Sequence, residues 1–101
     1  MEAVGHHQYE PEFYRIRGIA LREQNDIAGS QVAFAEALRS ARQRQMKAYE
    51  LRAATDLARL LGEEGRREEA REQLTPLYGW FTEGFDTADL KDAKALLDEL
   101  A

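Results

Sequence analysis

Apolar residues recur at helical spacing along most of this chain, in stretches divided by short polar clusters. Pro11 suits the first turn of a helix that runs to about Gln24. On it Phe13, Tyr14, Arg17, Ala20 and Leu21 share a broad face, while Ile16 and Ile19 project from another, so one covering partner cannot bury it. Asn25 to Ser30 read as a turn cluster in which Ser30 caps a second helix, with Phe34, Ala37, Leu38 and Ala41 on one stripe, reaching about Gln45. A third helix from Lys47 to Glu63 carries Leu51, Ala54, Leu57, Ala58 and Leu61 and stops at the Gly62 to Gly65 turn.

The fourth helix begins near Arg67, with Leu74, Leu77, Tyr78, Phe81 and Phe85 as its stripe. Pro76 removes a backbone donor and predicts a bend near Gln73, unless a new turn starts there. Asp86 is placed as the cap of a last helix, Thr87 to Leu100, with Asp89 as a short-armed capping box and Phe85 against Leu90 as a hydrophobic staple. That helix buries Leu90, Ala93, Leu96, Leu97 and Leu100.

The two halves repeat one unit. Ala54, Leu57, Ala58 and Leu61, then Ala70 and Leu74, fall at the packing positions of a tetratricopeptide hairpin, and Tyr14, Gly18, Leu21, Phe34 and Ala37 form a degenerate upstream copy. In that copy Arg17 stands where an apolar residue is expected and Ser30 where a small one is. The copies lie 40 residues apart, longer than the tetratricopeptide's ~34, which lengthens the second helix by nearly two turns.

Three blocks extend the likeness: Glu10 to Gly18, Glu50 to Leu60, and Leu77 to Thr87 followed by Asp89-Leu90-Lys91 and Ala93 to Leu97. With them the chain resembles the C-terminal tetratricopeptide-like region of bacterial adenylate or guanylate cyclase, or transcriptional-regulator, signal-transduction ATPases. The resemblance implies a sensor or scaffold module that holds or releases neighbouring domains and binds partner proteins. It implies no catalysis, because the chain contains neither a phosphate-binding loop of the Gly-x-x-x-x-Gly-Lys-Ser/Thr type nor a cyclase-like pair of metal-binding aspartates.

Composition narrows the setting. A chain of 101 residues is one small domain. The lack of cysteine excludes disulfides and thiolate metal sites and fits a cytoplasmic location. Apolar runs are far shorter than the roughly 20 residues of a membrane span. Most of the net charge of -5 sits in residues 83 to 101, where six acids face Lys91 and Lys94, so the remainder is nearly balanced and presents no strong positive field to nucleic acid.

Candidate chemistry is sparse. His6 and His7 near Glu10 and Glu12 lack the spacing of a closed metal site, no serine has a base beside it, and no cofactor is expected. Tyr78, Trp80, Phe81 and Phe85 read as the seat of the final helix, with Trp80 beside Leu77 and Gly84. Arg15 and Arg22 are seven apart, as are Arg52 and Arg59, so each pair lies along one helix face. Together with Asp56 they map to the concave side of a tetratricopeptide superhelix, a candidate site for an acidic protein or peptide. The alternative is a solvated charged face in which Asp56, Glu63 and Glu23 pair with the arginines. The asparagine clamp of chaperone-binding members is absent, its place taken by Ile19 and Asp56.

The expectation is therefore an all-α protein with a flexible segment 1-10 and one tetratricopeptide-like domain 11-101, built of two antiparallel helix pairs and a C-terminal capping helix. Its expected role is non-enzymatic protein interaction or regulation, with self-association as a homodimer through Ile16 and Ile19. A structural homo-oligomerisation domain without a client peptide is the other reading.

Overall fold

The computed structural model describes residues 10–81 and 87–101. All regular structure in them is helical: α1 (Glu10–Glu23), α2 (Ile27–Gln43), α3 (Lys47–Glu63), α4 (Arg67–Trp80) and α5 (Ala88–Leu100). The loose start expected before Glu10, and the expected roles of Gly84, Phe85 and Asp86, lie outside the described residues.

The turns after α1, α2 and α3 are one structure repeated. Asn25, Gln45 and Gly65 each take left-handed backbone, with φ of 66°, 57° and 82°. The following amides of Asp26, Met46 and Arg66 donate to the carbonyls of Leu21, Ala41 and Leu61, each at 2.9 Å. The left-handed residues themselves donate to Arg22, Arg42 and Gly62. This pair of bonds satisfies carbonyls that a helix end leaves open. Turns this short make successive helices antiparallel neighbours.

Two helix starts differ from expectation. Asp26, not Ser30, caps α2, its carboxylate accepting from the Gly29 amide at 3.0 Å. Ser30 lies a turn inside the helix, fully buried, and donates from Oγ to the Gly18 carbonyl at 2.7 Å. Thr87 caps α5, its hydroxyl accepting from the Leu90 amide at 3.3 Å. Helix α2 also ends before Gln45, because that residue has already turned left-handed. Helix α4 continues through Pro76, which stands on its exposed side, where water can serve the carbonyl that proline leaves without a donor. The helix ends at Trp80, since Phe81 is extended.

Helix α3 is the centre of the fold and touches α1, α2, α4 and α5, whereas α2 and α4 do not meet. Its expected stripe of Leu51, Ala54, Leu57, Ala58 and Leu61 is buried, and so are Ala53 and Leu60 on another side. Two sets of neighbours leave only a narrow strip of α3 wet. Phe34 reaches the core against Gly18, where a Cβ would lie 2.6 Å from the ring. Helix α5 closes the other end through Leu90, Ala93, Leu96 and Leu100.

Candidate partner-binding face

The odd-numbered helices lie together, with α3 packed between α1 and α5. The wet strip of α3 carries Arg52, Asp56 and Arg59 between the polar edges of its two neighbours. Helical spacing puts these three residues within two turns of one another, and the hairpins bring Arg15 and Glu12 from α1 and Asp89 and Asp92 from α5 to meet them.

The result is a ladder of ion pairs. Arg15 holds Glu12 through both Nε and Nη2, at 2.9 and 3.0 Å, and reaches Asp56 through Nη1 at 2.8 Å. Asp56 accepts in turn from Arg59 at 3.2 Å, and Arg59 spans to Asp92 at 2.9 Å. Arg52 donates to Asp89 at 2.9 Å and lies 3.6 Å from Glu12. Further along, Arg22 pairs with Glu63, its Nε at 3.1 Å from Oε1. All four arginines singled out by spacing, and Asp56, thus lie on one face, and each arginine is already bound to a carboxylate of the same chain.

Electrostatics follow from this geometry. The Arg15 guanidinium is held more firmly protonated than an ordinary arginine, first by its hydrogen bond to Glu12 and then by Asp56, against the cost of partial burial. Glu63 acts likewise on Arg22, and Asp89 on Arg52. An open cavity of about 240 Å³ lies within the ladder, lined by Arg15, Arg52, Thr55, Asp56, Asp89 and Asp92. Such a site can exchange one carboxylate for another; it offers no nucleophile with an adjacent base.

The sequence pattern does not mark Glu12, Asp89 or Asp92 as partners of these arginines; Asp89, expected in a capping box, holds Arg52 instead. A signal for two of them exists: Glu12, Arg52 and Asp92 stand at 40-residue intervals, hence at one place in successive odd-numbered helices, and their signs alternate. Glu23, expected as a partner of these arginines, is exposed and forms no ion pair with them.

The remaining predicted residues are separated from this face or from each other. Ile19 packs against the core instead of joining Ile16, which is 58% exposed beside Phe13 at 60%. Trp80 does not seat α5; it is 57% exposed, with the Lys47 ammonium 5.0 Å from its ring centroid and Phe81 edge-on at 5.1 Å. Tyr78 and Phe81 do pack on the core. Among the described residues no cluster of three or more His, Cys, Asp or Glu side chains could hold a metal ion. None of the described helices is long and apolar enough to cross a membrane.

Comparison of the chain with protein-family models, with curated proteins and with solved structures finds no match.

Proposed function

We propose that this chain is a tetratricopeptide-like, non-enzymatic interaction module of a bacterial cytoplasmic signalling protein, related to the C-terminal part of the large signal-transduction ATPases it resembles. The observation that carries this reading is the stacking of α1, α3 and α5 while α2 and α4 stay apart. Stacked hairpins of that layout present one continuous helical surface to partners. The repeated turns and the small contacts at Gly18 and Ala70 support it.

The partner is a protein segment rich in Asp or Glu. It enters by exchanging its carboxylates for those of α5, the more open end of the ladder, where the Asp92 side chain is 55% exposed. Guanidinium forks favour such exchange, and screening over about 8 Å at physiological ionic strength makes the affinity fall with salt. The test is titration of an Asp/Glu-rich peptide into the parent chain and into Arg52→Ala, Arg59→Ala at low and physiological salt. Saturable binding that the variant loses supports the site. Equal affinity in both proteins overturns it, and no binding by a chain that is a tight dimer favours a purely structural homo-oligomerisation domain.

A further inference from the structure

The first hairpin leaves a face uncovered that its second copy buries. In α3, Ala53, Leu57 and Leu60 are 0%, 5% and 1% exposed where that helix packs on the first hairpin. Forty positions earlier the equivalent residues of α1 are Phe13, Arg17 and Ala20, and all three are exposed. Ile16 extends the strip, and Val32, 63% exposed, continues it on α2. Large apolar side chains at the place where the repeat normally receives another helical hairpin mark a stacking surface.

We propose that this face, made by Phe13, Ile16, Arg17 and Ala20 of α1 with Val32 and Glu36 of α2, docks a second copy of the chain through the same face. The inference goes beyond the function proposed above and holds whether or not the α1, α3 and α5 face takes a client. Two properties select this occupant. Head-to-tail stacking would set the strip against α5, whose exposed positions are Lys91, Asp92, Lys94, Asp98 and Glu99 with only Ala88 and Ala95 apolar among them, a charged surface that cannot fill an apolar one. The face is also complementary to itself. Within one copy α1 and α2 run antiparallel in a register marked by Ser30 on Gly18 and by Ser40 donating to Glu10 at 2.8 Å.

A two-fold axis parallel to the helices lays α1 of one copy along α2 of the other in the same antiparallel sense. In that register Ile16 meets Val32, and Phe13 and Ala20 meet the small exposed residues Ala35 and Ala28. Arg17, which has no ionic partner among the described residues, comes level with Gln31 of the other copy, five residues or about 7.5 Å along the helix from Glu36, a gap that its long side chain spans toward a carboxylate so far tied only to Arg39 of its own helix. The charges thus add an attractive pair to the apolar contact.

The experiment is sedimentation equilibrium of the intact chain over a wide concentration range, with circular dichroism of each variant. The parent is expected to be a dimer, and Phe13→Glu, Val32→Glu a monomer of unchanged helicity. Glu36→Arg is expected to weaken the dimer at least tenfold, and Arg17→Glu added to it to restore association. A parent that stays monomeric at the highest attainable concentration overturns the proposal, as does a dimer that survives Phe13→Glu, Val32→Glu or is lost on Ala95→Glu. Should Phe13→Glu, Val32→Glu lose helicity, the charge-reversal pair alone decides.

Discussion

The Phe34 ring lies where a side chain at residue 18 would be: a Cβ built on Gly18 comes within 2.6 Å of two ring carbons. The contact joins α1 to α2 beside the buried hydrogen bond from Ser30 to the Gly18 carbonyl. Gly18→Ala gains helix propensity, worth up to about 1 kcal/mol, but forces the fully buried ring out of place, and overpacking costs about 1 to 3 kcal/mol. The expected outcome is a net loss of about 1 to 2 kcal/mol, read as a lower urea midpoint at unchanged slope. A midpoint equal to or above the parent's would mean that the ring has room to move.

Asp56 is shared by Arg15 and Arg59. Isolated surface pairs contribute about 0.2 to 1 kcal/mol, but the Asp56 side chain is only 15% exposed and Arg15's 22%, so its removal leaves two guanidinium groups short of a partner. Asp56→Ala is expected to lower stability by about 1 to 2 kcal/mol, and Arg59→Ala, nearer the rim, by less. Urea unfolding at low and at high salt checks both, since the Asp56 deficit shrinks as salt screens the parent's pairs.

Helix α5 is integral to the fold, because it covers α3 and α4 with four buried apolar residues. Each large-to-small change in such a position costs about 2 to 5 kcal/mol, against a total stability of about 5 to 15 kcal/mol for a domain. Leu96→Ala is expected to lower the melting temperature strongly, and deletion of residues 86 to 101 to abolish the cooperative transition. An unchanged melting temperature in the truncated chain would place the core elsewhere.

Much of the fold was legible because α3 follows its periodicity from Lys47 to Glu63, bounds that the structure reproduces, and because its stripe is buried as patterned. Errors arose where a local rule competed with a tertiary contact. Ser30 resembles a cap by position, but Asp26 is nearer the turn and Ser30 is needed by the Gly18 carbonyl. Trp80 is expected at the margin of the aromatic cluster that seats the last helix, yet α4 ends there and its ring is left under Lys47. For the candidate site, the spacing of the arginines put them on shared faces, but which carboxylates they hold depends on how far each hairpin advances along α3, a property of packing that no single helix encodes.

Glu69 offers a local electrostatic test. Its carboxyl is held below the ordinary glutamate value by the hydrogen bond from Arg66, one turn earlier. A depressed carboxylate contributes stability that is present above its unfolded pKa and is lost as pH falls through its folded pKa. NMR titration is expected to give Glu69 a midpoint below that of an unpaired glutamate, returning toward the ordinary value in Arg66→Gln. No difference between the two proteins would show that the pair does not persist in water.

The repeated turn gives the most direct test of the internal symmetry. Positions 25, 45 and 65 share one left-handed backbone, yet hold Asn, Gln and Gly. Asparagine tolerates this region and glycine enters it without a Cβ penalty, whereas glutamine pays about 1 kcal/mol or somewhat more. Gln45→Gly is therefore expected to stabilise the chain by about 0.5 to 1 kcal/mol, part of the relief being offset by the greater freedom of glycine in the unfolded chain. Gly65→Gln is expected to destabilise it by a similar amount, since the two turns are interchangeable. For a chain of this size 1 kcal/mol moves the melting temperature by roughly 4 to 8 °C, so opposite shifts of a few degrees in the two variants are the result to look for by differential scanning calorimetry. Shifts of the same sign would mean that the turns differ in how they are held, and the equivalence of the three helix ends would fail.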